Sequence, residues 1–206
     1  MRTLERLRNA LAVSRPIVTS LAVLAIGATI AMLNSPIASA QSDESNRERV
    51  TLSGTHDDVQ FLAGRSVRIT ATVTDDVFAA GRDVTFDAAT VGNAIAGGYD
   101  VEVRGGSVAD LIAIGANVNV SGDVQDDLVA AARSMRLSSD GTVAGDVRVA
   151  AETAEIEGSV TGNIRAAARR VTITGSVGGK VDLLAERIVV GPNANIVGDL
   201  IYRSRE

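Results

Sequence analysis

The 206-residue sequence has no cysteine and no tryptophan, only one histidine and three prolines, and aromatic residues make up 2% of it. The lack of cysteine excludes disulfides and thiolate metal sites. The scarcity of aromatic residues excludes a core built on large rings, although 46% of the residues are hydrophobic. A basic excess is also absent: 20 basic residues stand against 25 acidic ones, for a net charge of -5. The chain therefore lacks the electrostatic footprint of a nucleic-acid-binding protein.

Residues 1–40 differ in composition from the rest of the chain. Four arginines precede an apolar run from Ile17 to Leu33, and the triplet Ala38-Ser39-Ala40 follows. This order predicts a secretory signal peptide that is cleaved between Ala40 and Gln41. We therefore expect an exported protein, located in the periplasm or on the cell surface. The alternative is an uncleaved membrane anchor, since the run lies at the lower edge of the length that spans a bilayer.

The segment that follows, residues 41–49, has the sequence QSDESNRER and is polar and charged throughout. It has no periodic apolar residues, so it is predicted to be a flexible leader. Residues 50–206 then form a single repetitive domain.

An internal repeat dominates residues 50–206, with an acidic or amide residue at most anchor positions. The anchors are Asp58, Asp76, Asn93, Asp110, Asp127, Asp146, Asn163, Lys180 and Asp199, at spacings of 17 to 19 residues. Apolar residues follow each anchor at the first and third positions. This alternation predicts a strand whose interior residues include Val59 and Phe61 in the first turn, with Gln60 between them facing outward.

Two further strand signals recur in every turn. One is an alternating apolar pair, such as Val67 and Ile69, and the other is a single Val or Ile, such as Val73. Three short strands in each turn of 17–19 residues predict an all-β fold, a single-stranded β-helix (β-solenoid) of about eight turns. In such a fold, equivalent residues stack about 4.8 Å apart. The narrow interior explains the predominance of Val, Ile and Ala.

The repeats, such as GDVRVAAETAEIEGSV from Gly145, and the final segment IVVGPNANIVGDLIYRS resemble the bactofilin family of polymer-forming proteins. The resemblance covers residues 57–206. It implies a right-handed β-helix that polymerises end to end into non-polar filaments without nucleotide. Bactofilins as usually understood are cytoplasmic, whereas this chain begins with a predicted secretion signal. The better expectation is a scaffold in or on the cell envelope.

Enzymatic alternatives have weaker support in the sequence. The segment Ile188 to Ile196 resembles one turn of a hexapeptide-repeat acyltransferase, but the only histidine, His56, precedes the first full turn and is expected to be a solvated turn residue. A polysaccharide lyase would need long insertions to shape a cleft, and none is present. We therefore predict no catalytic residues and no cofactor.

The column of Asp and Asn anchors has two interpretations. Stacked carboxylates about 4.8 Å apart could bind calcium through oxygen ligands. Alternatively, these side chains cap tight corners by accepting hydrogen bonds from nearby backbone amides, which the sequence favours because no calcium-binding nonapeptide is present and Lys180 interrupts the column.

Two surfaces are candidate interfaces. The residues between the first two inward positions include Phe78, Ile95, Ile112 and Val129, which predict an exposed apolar stripe across four turns, a common mark of an interaction site. The charged residues Arg148, Arg165 and Asp182 continue this column.

The second candidate interface is the end of the solenoid, where Leu200, Ile201 and Tyr202 lie in the last strand with no amphipathic helix to cap them. The predicted function is a non-enzymatic scaffold that self-associates through these ends. The predicted partner is the protein itself, with an envelope protein or a polysaccharide as a further candidate, and a membrane only if the N-terminal segment is uncleaved. The runner-up is a monomeric adhesin-like or polysaccharide-binding module.

Overall fold

A computed structural model describes residues 48–204, and all their regular structure is β-strand. The strands are β1 (Arg49–Leu52), β2 (Thr55–His56), β3 (Gln60–Ala63), β4 (Ser66–Ile69), β5 (Thr72–Val73), β6 (Val77–Ala80), β7 (Asp83–Asp87), β8 (Thr90–Val91), β9 (Ala94–Arg104), β10 (Ser107–Val108), β11 (Leu111–Val120), β12 (Asp123–Val124), β13 (Leu128–Leu137), β14 (Thr142–Val143), β15 (Val147–Ile156), β16 (Ser159–Val160), β17 (Ile164–Ile173), β18 (Ser176–Val177), β19 (Val181–Val190), β20 (Asn195–Ile196) and β21 (Leu200–Arg203). The predicted signal peptide, its cleavage site at Ala40 and Gln41, and residues 41–47 of the leader lie outside the described residues. The first strand begins at Arg49, one residue before the predicted domain start.

The strands form a β-solenoid of about nine turns, which confirms the predicted fold class and adds one turn to the predicted count. All the strand pairs are parallel, and one sheet has twelve strands and the other nine. Each turn contributes three strand segments, which build three faces. The first face comprises β3, β6, the first halves of the long odd-numbered strands from β9 to β19, and β21. The second face comprises β1, β4, β7 and the second halves of those long strands, and the third face contains the two-residue strands of the nine-stranded sheet.

The interior consists of stacked columns of small and branched apolar side chains. Successive residues of a strand point to opposite sides of the sheet, so alternate positions enter the interior. Leu111, Leu128 and Val147 occupy one such column, and each is fully buried. In the described part of the chain no polar or charged side chain is buried. Apolar burial is therefore the main stabilising contribution to the fold.

The longer repeats place their extra residues at a corner of the solenoid. Where the spacing between turns rises to 19 residues, Val124 pairs with Val143 and Val177 pairs with Ile196. The two additional residues form turns at 139–140 and at 192–193, between the second and third faces. Strand pairing on either side is undisturbed, so insertions at this corner leave the stack intact.

The first turn corrects the predicted register. Gln60, not Val59, pairs with Val77, and Phe61 pairs with Phe78, so this turn has 17 residues instead of 18. Phe61 consequently points outward with 76% of its surface exposed, whereas it was predicted to be inside. The similar acidic pairs at 57–58 and 75–76 favoured the wrong alignment. The polar Gln60 is tolerated at this inward position because its turn is the last described one at the N-terminal end of the solenoid. There Gln60 is only half buried.

Candidate interaction surfaces

The predicted lateral residues Phe78, Ile95, Ile112 and Val129 lie in register in one outward column of the first face. Each is partly exposed and alternates with fully buried neighbours along its strand. Phe61 extends this column by one turn, and its ring stacks on that of Phe78 with centroids 4.9 Å apart. The apolar stripe, here called the bulky column, therefore spans five turns. The predicted register placed Phe61 in the interior, so the predicted stripe did not include it.

A second outward column of the first face was missed in the sequence. It lies two residues further along each strand, and we call it the small column: Ala63, Ala80, Gly97, Ile114 and Ala131. These residues are partly or fully exposed. Over the same five turns, neither column contains a polar side chain. The first face thus presents an apolar surface two columns wide, and extending the period-2 pattern would have revealed it.

One edge of this surface is the Asp and Asn column, here called the acidic edge. Its side chains form a ladder of hydrogen bonds from turn to turn. The backbone N–H of Asp127 donates to Asp110 Oδ1 at 2.9 Å, that of Asp146 donates to Asp127 Oδ1 at 2.8 Å, and that of Asn163 donates to Asp146 Oδ1 at 2.8 Å. These contacts agree with the predicted corner-capping role, because each oxygen accepts a bond from an amide of the next turn. Among residues 48–204, no group of three or more His, Asp or Glu side chains is arranged to hold a metal ion.

Arg148 marks where the bulky column becomes charged. Its guanidinium donates to Asp127 Oδ2 at 2.9 Å and to Asp146 Oδ2 at 3.1 Å, so it turns toward the acidic edge. The hydrogen bond from Arg148 to Asp127 raises the pKa of the guanidinium further above its already high value, against an opposing effect of burial. Arg148 therefore neutralises two carboxylates of the edge as well as ending the apolar stripe.

The opposite edge lies at the bend between the first and second faces, and we call it the corner edge. Its residues, one per turn, are Arg65, Arg82, Tyr99, Ala116, Arg133, Glu152, Arg169 and Glu186. In the five turns of the apolar columns, the charged residues of the corner edge are Arg65, Arg82 and Arg133. Nearer the C-terminus, Arg169 pairs with Glu152. The apolar surface is therefore bordered by acidic residues on one side and mainly by arginines on the other.

A shallow depression of about 230 Å³ lies on the first face near its charged half. Its lining is Ala167, Ala168, Arg169, Leu184, Ala185 and Glu186. The single histidine, His56, is remote from it in the first turns. The depression therefore contains no nucleophile and base in contact, which is the arrangement that covalent catalysis needs.

The C-terminal end of the described chain is open. Strand β21 pairs only with β19, and β20 pairs only with β18. Leu200 and Tyr202 continue the inward columns of Val181 and Leu183, but they are 40% and 65% exposed because no further turn covers them within residues 48–204. Ile201 continues the outward column and is 38% exposed.

The N-terminal end of the described residues is also an edge, but a more polar one. His56 lies in β2 in register with Val73, so it occupies an inward column instead of the solvated turn that was expected. Its Nε2 lies 3.0 Å from the carbonyl oxygen of Ser53. Gln60 occupies another inward column and donates to Asp58 Oδ1 at 2.8 Å. Within residues 48–204 each end turn pairs with a neighbouring turn on one side only, and the inward residues of the C-terminal end turn are the more apolar.

Comparison with known proteins adds no relative. No protein-family model, no curated protein and no solved structure matches the chain significantly. Within residues 48–204, no helix has the length and apolar character needed to cross a membrane. The resemblance to bactofilins therefore depends on the repeat pattern alone.

Proposed function

We propose that this protein is a non-enzymatic structural element of the bacterial cell envelope that self-associates through the ends of its solenoid. The observation that carries the proposal is the open C-terminal end, where Leu200, Tyr202 and Ile196 continue inward columns without a covering turn in the described chain. An uncovered strand edge is a template for pairing with another chain, and monomeric solenoids normally cap it.

The number of strands in each face supports assembly through the ends. Within residues 48–204 each face contributes nine strand segments, so the solenoid comprises whole turns. At the C-terminal end the open edges belong to the second half of β19, to β20 and to β21. At the N-terminal end they belong to β1, β2 and β3, in the same order of faces. One copy can therefore continue the stack of another without a step between the faces.

Two geometries of end contact use the same residues. A head-to-tail contact would join unlike ends and, if the rotation does not close, would build a filament. A two-fold contact between like C-terminal ends, together with one between N-terminal ends, would build the non-polar filament that the bactofilin resemblance implies. In both geometries Leu200 and Tyr202 become buried.

Electron microscopy of the purified protein, with light scattering at several concentrations, tests this proposal. Filaments or a mass that rises with concentration are expected. Tyr202→Asp and Leu200→Asp should abolish filaments and any mass beyond a pair of chains, because each places a charge in the apolar end contact. Ser204→Asp is the matched control, since it adds the same charge just beyond β21. Filaments, or masses larger than a pair of chains, that persist in both Asp variants would contradict end-to-end association.

The envelope location is a separate part of the proposal, since it depends on residues 1–40. The protein recovered from the exported fraction should begin at Gln41 when its N-terminus is sequenced. Recovery of the intact chain in the membrane fraction would favour the uncleaved anchor instead.

A monomeric polysaccharide-binding module is the second candidate, and one observation favours it. The stacked rings of Phe61 and Phe78 are on the surface, where aromatic platforms for sugars occur. A constant single-chain mass, combined with a saccharide-dependent rise in melting temperature, would support this function over the scaffold.

A further inference from the structure

The first face has a regular difference in side-chain size between its two outward columns. In four of the five apolar turns, a large residue of the bulky column stands beside Ala or Gly of the small column. Phe78 stands beside Ala80, for example, and Ile95 beside Gly97. Only Ile114 breaks this pattern. The surface is therefore a ridge next to a groove, both running parallel to the solenoid axis.

The partial burial of the bulky column comes from its own neighbours, and no loop of the described chain covers it. Arg148 and Asp182 belong to the same column and, like Ile95 and Ile112, are partly exposed. Charged side chains at a covered site would be buried, and none is buried in residues 48–204. The ridge is accessible to a partner.

We infer that the partner is a second copy of this chain, packed first face to first face with the two solenoid axes parallel and related by a two-fold axis along them. This two-fold axis places the ridge of each copy over the groove of the other. It also places the acidic edge of each copy over the corner edge of the other. The arrangement with antiparallel axes would set ridge against ridge and acidic edge against acidic edge.

The charges along the two edges favour this arrangement at three levels. In a parallel pair in register, each acidic-edge residue faces the corner-edge residue of the same turn. Three of these level pairs have opposite charges: Asp76 with Arg82, Asp127 with Arg133, and Lys180 with Glu186. One level sets Asp146 against Glu152, but Arg169 pairs with Glu152, and Arg148 contacts both Asp146 and the Asp127 of the level before it. Such complementarity fixes the orientation and register more than it raises affinity.

The size of the face is adequate for a stable pair. Nine turns of about 4.8 Å and four columns spaced about 6.6 Å describe a surface of roughly 43 by 20 Å. Two copies would then cover about 1,700 Å² in total, within the range of specific protein interfaces. This contact does not involve the solenoid ends, so it is tested separately from the proposed filament.

The first test measures the mass of the Tyr202→Asp protein, in which end-to-end assembly is blocked by design. Light scattering is expected to give twice the single-chain mass, falling to the single-chain mass when Ile112→Lys is added. Thr85→Lys is the matched control, because it adds the same charge to an outward position of the second face. A single-chain mass at all concentrations, or a pair that survives Ile112→Lys, would overturn the inference, even if the protein then bound vesicles or a foreign partner. If Tyr202→Asp leaves filaments intact, the end-contact proposal fails. The lateral pair is then tested on the filaments themselves, whose width should halve when Ile112→Lys is added.

The second test determines the orientation by cross-linking, and the absence of native cysteine makes every reaction site-specific. In the parallel pair Ala131 faces the same turn of its partner, so Ala131→Cys alone should form covalent dimers with a short bis-maleimide. In an antiparallel pair centred on Ile95, Ala131 would face Ala63 of the partner, about 19 Å from the other Ala131 at about 4.8 Å per turn. Dimers formed only on mixing the Ala131→Cys and Ala63→Cys proteins would therefore overturn the parallel arrangement. Neither substitution disturbs the interior, since both residues are exposed.

Discussion

The first and second faces share continuous strands from β9 onward, yet their outer surfaces are opposite in character. On the first face, five turns present only apolar side chains outward. On the second face, the outward residues are mostly polar, with Val189 an exposed exception, and several form ion pairs across turns and between neighbours, such as Arg136 with Glu157 at 2.7 Å and Arg104 with Glu102 at 2.5 Å.

The interior beneath the two faces is alike, since both supply buried Val, Leu, Ile and Ala columns. The repeat therefore requires apolar residues only inside, and the solvent side of each strand is free to vary. An apolar outer surface contributes nothing that the stack itself needs, and it carries a risk of unspecific association. The contrast supports the proposal that the first face serves contact and the second face faces solvent.

Four predictions sharpen this comparison by separating residues that support the stack from residues that serve contact. All are measured by chemical denaturation in the background of Tyr202→Asp with Ile112→Lys, which is expected to remain a single chain. Changes in the free energy of unfolding then report the stack alone.

The largest effect is expected inside the solenoid. Leu128 is fully buried, so Leu128→Ala should lower the free energy of unfolding by about 2–5 kcal/mol. Its neighbour Val129 points outward on the first face, and Val129→Ala should cost about 1 kcal/mol or less. Equal losses in the two variants would contradict the assignment of Val129 to a contact surface.

A smaller effect is expected where two turns approach closely. A Cβ atom on Gly158 would lie 2.2 Å from the carbonyl oxygen of Gly141, so Gly158→Ala should destabilise the stack by about 1–3 kcal/mol through overpacking. Gly97, in the small column, has nothing within 4 Å of the corresponding position. Gly97→Ala should therefore leave the denaturation midpoint unchanged or slightly raised, and a loss matching that of Gly158→Ala would show that the groove is closed in the free protein.

The acidic edge should have a moderate effect of its own. Asp146 accepts hydrogen bonds from the backbone N–H and the side-chain amide of Asn163 and from Arg148. Asp146→Ala should cost about 1 kcal/mol, as for other capping residues, whereas Asp146→Asn retains the acceptor oxygen and should cost less. Added calcium should leave the melting temperature unchanged, and a clear rise with calcium would restore the metal-site interpretation.

The smallest effect is expected on the second face. Arg136 and Glu157 form an exposed ion pair, so Arg136→Ala should change the free energy of unfolding by less than about 1 kcal/mol. High salt should abolish even that difference because it screens exposed charges. A larger loss would show that the second face also supports the stack.

Much of this architecture could be predicted because the strand pattern is local. The alternation in Val77, Phe78 and Ala79 identifies the inward and outward positions without knowledge of any other turn. The prediction failed at Phe61 because register depends on pairing between strands 17 residues apart. A polar residue such as Gln60 at an inward position gives no apolar signal to guide the alignment.

The sequence by itself determined the repeat, the all-β solenoid, the composition of the interior and four residues of the apolar stripe, because each follows from a period-2 pattern within single strands. Only the tertiary structure decided that Phe61 joins the stripe and that the acidic side chains bond the amides of the next turn. It also decided that arginines of the corner edge border the small column. Those relations arise from the stacking of turns, which brings residues far apart in the chain to the same level of one surface.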